Sequence, residues 1–283
     1  MANPVVTRAE VLEVAPEGAY HRLVLRAPEA APRVRPGHFA TLALGETSAL
    51  LLRRAFAVLR ADPAAGTLEL VVAERGAGTR ELVRTPVGAT LSLIAPLGTP
   101  FPLPDGPVTA LLVADGHGSA PLFALAERIL ERGGQVGFLL GAADAPGLYG
   151  VDRARALTRD VLVVTEDGSA GLAGHVTGPL AQAIEAIDAD VVHACGPEPM
   201  LAAVTAAAAG HGLRCWTAVQ TPMACGTGIC MTCVLPVVGA DGVSRFVRTC
   251  TEGPVFDGGR VRWADIGTVP DDLAGAAGMG EQL

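Results

Sequence analysis

Four cysteines between Cys225 and Cys250 constrain this chain more than any other feature. The stretch Met223-Ala-Cys-Gly-Thr-Gly-Ile-Cys-Met-Thr-Cys-Val-Leu-Pro sets Cys225, Cys230 and Cys233 in a Cys-x4-Cys-x2-Cys spacing, and Arg248-Thr-Cys-Thr-Glu-Gly-Pro brings Cys250. That spacing suits a cluster of two irons and two sulfides. Such a cluster needs four thiolates, two per iron. A tightly wound loop supplies three, and a distant strand end supplies the fourth. Gly226 and Gly228 fit the loop, because glycine gives positive φ and N–H groups turned toward sulfur at least steric cost. Two alternatives would use the same thiols. Structural zinc takes four cysteines, but its sites usually carry two Cys-x2-Cys knuckles and this chain has one. Disulfides need an oxidising compartment, and an acidic chain with no export signal is expected in the cytoplasm, where thiols stay reduced.

At 283 residues, half of them hydrophobic, the chain has the length for two domains and a small third. A formal charge of −8 argues against nucleic acid as the partner. All 21 basic residues are arginine, which excludes Schiff-base lysine chemistry and a Walker-type phosphate lysine. The first ten residues lack a basic region followed by an apolar run, so no signal peptide is expected. No apolar run approaches the ~18 residues of a membrane span.

Residues 1–104 predict an antiparallel Greek-key β-barrel. Six runs of β character occur at Val5–Val14, His21–Leu25, Phe39–Leu44, Ala55–Leu59, Thr67–Ala73 and Thr90–Ile94, separated by Gly/Pro turns. Residues 105–219 change period. Apolar strands at Val108–Ala114, Gln135–Leu140, Val161–Thr165, Val191–Ala194 and Leu213–Val219 alternate with helical stretches at Ala120–Arg132, Asp152–Leu157, Pro179–Ala186 and Pro197–Ala209. Strand–helix alternation predicts a doubly wound parallel sheet. Residues 220–263 form the cluster module, with Val234–Val238 and Ser244–Val247 as a hairpin. Residues 264–283, Gly/Ala-rich and acidic, are expected to be a flexible tail.

A barrel, a doubly wound domain and a ferredoxin-like cluster module, in that order, resemble the ferredoxin-reductase superfamily. The cluster spacing is that of plant-type ferredoxins. Within the superfamily the resemblance is closest to the electron-transfer subunits of class 1B dihydroorotate dehydrogenase. It rests on Leu52-Arg-Arg-Ala-Phe-Ala, Gly76-Ala-Gly-Thr, Cys195-Gly-Pro-Glu-Pro-Met and the two cysteine segments, and covers roughly residues 5–263. The resemblance implies FAD in the barrel, one 2Fe–2S cluster and a flavin-containing catalytic partner, with electrons passing from dihydroorotate through the partner, the cluster and FAD to NAD. It also implies a heterotetramer built on a dimer of that partner.

The resemblance further implies site residues. The family's Arg-x-x-Ser motif stands here as Arg54-Ala55-Phe56-Ala57. Arg54 is placed to meet the FAD pyrophosphate, for which a planar fork is suited. Ala57 lacks the hydroxyl that approaches flavin N5. Phe56 packs on the isoalloxazine or is an ordinary barrel aromatic. Val71, Val72 and Ala73 line the flavin, and Gly78 and Thr79, ahead of a helix at Arg80–Val83, contact the pyrophosphate. The dinucleotide turn reads Ala114-Asp115-Gly116-His117-Gly118-Ser119-Ala120-Pro121-Leu122. Gly116, Gly118, Ala120 and Pro121 match the family, but Ala114 and Asp115 replace glycines. A carboxylate there repels a pyrophosphate. His117 is a candidate acid, base or ligand, although a loop histidine without a chemical role is the favoured view. Cys195 and Gly196 border the nicotinamide in the superfamily, while Cys215 is a buried thiol. Thr165-Glu-Asp-Gly-Ser resembles the nucleotide-side loop, and its acidic pair suits ribose hydroxyls better than a 2′-phosphate.

Three functions compete on these residues. The first is the electron-transfer subunit just described. The second is an FAD/2Fe–2S reductase component serving a different oxidoreductase. The third is a docking or relay subunit that no longer reacts with NAD.

Overall fold

The computed structural model of the protein describes residues 3–44 and 48–274. Its first part is a closed six-stranded barrel of β1 (Val5–Glu17), β2 (Tyr20–Arg26), β3 (Phe39–Ala43), β4 (Arg54–Asp62), β5 (Thr67–Val72) and β6 (Thr90–Leu97). The strand order is β1-β2-β5-β4-β3-β6, all neighbours antiparallel, with β1 closing on β6. Three hairpin-linked strands (β3, β4, β5) with β2 beside β5 make a Greek key, as the turn signals predict. Alternation fixes what faces inward: Leu23 and Leu25 of β2, Leu68 and Leu70 of β5, and Leu91 and Leu93 of β6 fill the interior. A short helix α1 (Ala77–Leu82) follows β5.

The second part is a seven-stranded sheet of β7 (Thr109–Asp115), β8 (Gln135–Ala142), β9 (Val161–Thr165), β10 (Leu172–Ala173), β11 (Val191–Gly196), β12 (Arg214–Val219) and β15 (Val255–Asp257). The order is β10-β9-β8-β7-β11-β12-β15. β7 and β11 read as near-continuous apolar runs because helices cover both faces of a parallel sheet. Helices α2 (Ala120–Glu131) and α3 (Val151–Leu157) cover one face, and α4 (Leu180–Ile187) and α5 (Glu198–Gly210) the other. From β7 the chain winds outward to β8 and β9, then crosses to β11 and β12. The direction switches between β7 and β11, and in such sheets ligands bind outside the carboxyl ends at that point.

The core of the second part extends into the barrel. Tyr20, Leu59, Val71 and Phe101 join the α2 face in one apolar cluster with Phe123 and Phe138. Tyr20 Oη also donates to Gly147 O at 2.6 Å. The two parts are therefore packed as neighbours, with a cavity at their junction.

The cluster segment carries the hairpin β13 (Val234–Val238) and β14 (Ser244–Arg248). Two features go beyond the expected hairpin and flexible tail. β15 returns from the segment to pair antiparallel with β12, as an edge strand too short to carry a periodic signal. The expected tail is packed as far as residue 274. Arg262 Nη1 bonds both Asp272 carboxylate oxygens at 2.8 Å, Leu273 is buried, and Ala274 N donates to Ser244 O at 2.9 Å. Residues 275–283 of that expectation lie outside the described residues. Among the described residues no helix is long and apolar enough to cross a membrane.

Candidate functional site

A cavity of about 290 Å³ lies where barrel, sheet and cluster segment meet. Its barrel wall is Phe39, Ala55, Phe56, Ala57, Val71 and Ala73. Opposite stand His117, Gly118 and Cys195, from the ends of β7 and β11. A cleft lined by Arg53, Arg54 and Thr79 continues from it, sharing Ala55, Phe56, Thr221 and Met223.

Of the expected flavin residues, Val71 and Ala73 face the cavity, while Val72 does not. Val72 is fully buried among Leu25, Leu42 and Leu70 inside the barrel. Successive strand residues point to opposite faces, so a run of three cannot all line one wall.

Arg53 and Arg54 take different partners. Arg53, half-buried at the cleft, is held by β6, donating to Ser92 O at 3.0 Å and to Ser92 Oγ at 2.5 Å. Arg54 reaches the cleft, donates to the Leu52 carbonyl, and lies against Gly78. A Cβ on Gly78 would meet the Arg54 guanidinium, so any larger residue there would move the Arg54 side chain from its present place. The expected glycine turn is itself helical: α1 begins at Ala77, which puts Gly78 and Thr79 in its first turn rather than ahead of it. Thr79 Oγ1 accepts from Arg75 N at 2.9 Å and Gly76 N at 3.1 Å. Its hydroxyl is thus committed to the turn, and the anion-binding capacity here belongs to Arg54 and to first-turn N–H groups.

At the switch point, Gly116 has φ +53°, and Gly118 packs so closely that a Cβ would sit 2.6 Å from Cys195 O. Gly118 and Cys195 thus meet at the floor of the crevice. Burial pushes the Cys195 thiol up to about 12 and the Cys215 thiol likewise, so both are neutral thiols. Gly196 abuts the Met200 sulfur. Asp115 stands beside this floor. Its carboxyl is raised by burial and then by Glu166, with His175 opposing. His175 itself pairs with Glu166 at 3.1 Å. In the acidic loop, Thr165 Oγ1 donates to Ala170 O at 2.8 Å, and Asp167 Oδ1 accepts from Ser169 Oγ at 2.6 Å.

His117 sits in the short helical turn after β7. It lines the cavity, and its ring lies 5.4 Å from that of Tyr20. Burial, then the Arg75 guanidinium, lowers its pKa, so its cavity face is a neutral imidazole. Sequence reasoning missed Phe39, Arg75, Gln220, Thr221 and Met223. Phe39 lies on β3, Arg75 between β5 and α1, and Gln220, Thr221 and Met223 on the segment after β12, and no pattern along the chain joins these three places.

The four cluster cysteines grade from water to core. Cys230 is exposed, Cys225 half-buried, and Cys233 and Cys250 are buried. Gly226 (φ +71°), Gly228 (φ +84°) and Met231 (φ +58°) wind the loop. At Gly226 a Cβ would lie 2.6 Å from Thr41 Cγ2, so only glycine lets the loop lie on the barrel. Arg248 Nη1 donates to Gly228 O at 3.0 Å, and Thr249 N to Cys233 O at 2.8 Å, which ties the loop to the strand end carrying Cys250. Thr227 N points at Cys225 Sγ (3.4 Å) and Thr232 Oγ1 at Cys230 Sγ (3.1 Å). Burial alone would raise Cys225, but N–H donors of Thr227, Cys230 and Ile229 and the Cys230 thiol bring it down to about 6. Burial and the facing Cys233 thiol push Cys250 up to about 12. The thiols thus stand as two couples, Cys225 with Cys230 and Cys233 with Cys250. Among the described residues no three His, Cys, Asp or Glu side chains gather on one point as a single metal ion would require. Two couples with N–H donors aimed at sulfur fit a binuclear iron–sulfide cluster.

Residues 220–262 match the family model of the iron–sulfur cluster binding domain of dihydroorotate dehydrogenase B. The chain is 34% identical over 243 residues to the dihydroorotate dehydrogenase B (NAD(+)) electron transfer subunit of Shouchella clausii, covering 85% of this chain and 92% of that one. The subunit of the same name from Geobacillus thermodenitrificans is 32% identical over 243 residues, with the same coverage. Among solved structures, a chain of an NADH-dependent reduced ferredoxin-NADP oxidoreductase superposes with TM-score 0.79 at 28% identity, covering 90% of each chain. A ferredoxin NADP+ reductase from Neisseria gonorrhoeae superposes at TM-score 0.60 and 22% identity, over 73% of this chain and 92% of that one, and shares the fold.

Proposed function

The chain belongs to the family of dihydroorotate dehydrogenase B electron transfer subunits, and from that premise we propose which of its residues carry the electrons and with what partner. It is the electron-transfer component of an oxidoreductase. Cys225, Cys230, Cys233 and Cys250 hold a 2Fe–2S cluster. FAD occupies the cavity, and the crevice above Gly118 and Cys195 receives NAD. The partner is a flavin-containing dihydroorotate dehydrogenase catalytic chain, in a heterotetramer. One observation supports this arrangement above the rest: Phe39, Ala55 and Met223 line the cavity and also pack with Cys233 and Cys250, so a flavin there is a neighbour of the cluster.

FAD, when bound, exchanges a hydride with nicotinamide and single electrons with a cluster. The chain's own residues position and shield it. Arg54 and the first turn of α1 hold the pyrophosphate. Phe56, Val71 and Ala73 exclude water from the ring. Ala57 offers backbone contacts alone. Protein purified without oxygen is expected to be brown, with about two irons and two acid-labile sulfides per chain, and to release FAD on heating. Stoichiometric zinc without sulfide, or FMN in place of FAD, would overturn the assignment.

Arg54→Ala is expected to weaken FAD binding roughly tenfold to a hundredfold, since a charge-assisted contact contributes about 1.5–3 kcal/mol. Equilibrium dialysis of FAD against the flavin-free protein measures it. Unchanged affinity would remove Arg54 from the site.

The altered dinucleotide turn favours the relay alternative to one degree: direct reaction with NADH is expected to be weak. Asp115 and Glu166 put negative charge where a pyrophosphate would approach, and Ala57 leaves flavin N5 without a hydroxyl. Ala114→Gly combined with Asp115→Gly is expected to tighten NADH binding about tenfold, the worth of one weakened charge repulsion of ~1.4 kcal/mol. Micromolar NADH binding and fast flavin bleaching in the unmodified protein would refute this account of the turn.

A further inference from the structure

Phe39 is the one aromatic, among the described residues, that both lines the cavity and packs in the apolar cluster of Leu97, Cys233 and Cys250. The ring is 4% exposed. Glycines hold it from two directions. A Cβ on Gly98 would lie 3.0 Å from Phe39 Cε1, and a Cβ on Gly226, next to Cys225, would lie 3.5 Å from Cε2. The backbone is as specific. Phe39 pairs with Ala57 on β4 and with Leu97 on β6, and the β3–β6 register shifts immediately after it, between Phe39 and Thr41. A bulge of this kind re-aims a side chain. Ala55 and Met223 complete the partition but are smaller or more flexible.

We propose that Phe39 is the positioning residue that fixes the width and dryness of the partition between the flavin cavity and the cluster, and so governs the internal electron step. The proposal rests on the reading of the cavity as the FAD site. Each internal transfer oxidises the reduced cluster by one electron and reduces the flavin by one. Two transfers, with protons from water, match the hydride delivered to nicotinamide. The cluster is reduced again by the partner's flavin. A rigid ring keeps the two centres at one separation and leaves no room for water. Leucine in its place vacates volume that the wall closes only in part.

The test uses the full-length holoprotein with both cofactors, compared as wild type, Phe39→Leu and Phe39→Tyr. Reduced methyl viologen meets the cluster from the exposed Cys230 side, and stopped-flow absorbance follows cluster and flavin bleaching separately. Phe39→Leu is expected to slow flavin bleaching severalfold relative to cluster bleaching. It is also expected to change the low-temperature EPR line shape of the reduced cluster. Phe39→Tyr, which keeps the ring, should restore both. If loaded Phe39→Leu transfers at the wild-type ratio with an unchanged EPR spectrum, Phe39 is only a core residue and the proposal fails. If Phe39→Leu loses a cofactor, Phe39→Met, unbranched and able to adapt to the gap, replaces it and the same two outcomes decide. Wild-type protein lacking flavin or iron would instead refute the functional reading on which the proposal stands.

Discussion

Replacing Cys250 with serine is expected to abolish the cluster while leaving the barrel folded. Cys250 is 1% exposed, faces Cys233, and packs on Phe39 and Leu97. A serine hydroxyl does not ionise in that apolar setting, so one iron would keep a single protein thiolate. Iron is expected to fall from about two per chain to near zero, because a binuclear cluster needs all four ligands. FAD binding draws mainly on Arg54, Gly78 and the Phe56, Val71 and Ala73 part of the barrel wall, which lies outside the Cys250 cluster, so flavin content should hold. Cys195→Ser and Cys215→Ser are the controls. Both thiols are buried outside the four and should leave the iron content unchanged. Full iron and sulfide in Cys250→Ser would mean that the cluster ligands have been misassigned. Equal iron loss in the two controls would mean that the effect is general destabilisation.

Much of this architecture was legible in the chain because its strong signals are local. Val161–Thr165 and Val234–Val238 are strands with the expected ends, since turn residues bracket each apolar run. The six barrel strands appear where alternation and Gly/Pro turns put them. The four cysteines declare a cluster because ligand spacing is a property of sequence. The rest depends on contacts between distant segments. β10 and β15 are two and three residues long, too short to show a period, and exist because a neighbouring strand offers an edge. Residues 264–274 have a composition that predicts a tail, yet Arg262 and the β14 strand end hold them down. Val72 was expected in the flavin wall as part of a run, and the pleat turned it inward. His117 lines the cavity wall with its ring 5.4 Å from that of Tyr20, a contact between distant segments that no local pattern shows.

The second large effect concerns assembly. Ile229 is 83% exposed and Met231 52%, and they flank exposed Cys230 at the outer end of the cluster loop. Met231 is held at φ +58°, a region that costs a non-glycine residue energy. Strain of this sort persists where the surroundings enforce it and clusters at functional sites. Two apolar side chains in water beside an oxidisable centre are unfavourable in a lone chain and favourable under a partner. The buried Cys233–Cys250 couple already faces the flavin cavity across Phe39, so the Cys225–Cys230 side is where electrons from the proposed partner would enter. Thr227–Thr232 is thus the expected docking face for the catalytic chain. Ile229→Glu and Met231→Glu each place a charge in that contact, and either is expected to weaken assembly by about tenfold or more, the scale of an interface side chain worth above ~1.4 kcal/mol. Their side chains point to solvent, so the visible spectrum and iron content should stay those of the unmodified protein. Analytical ultracentrifugation with the catalytic chain reads the first quantity and absorbance the second. Bleaching of the cluster in both variants would make these residues part of the core. Full-affinity complexes in both would move the interface to another face.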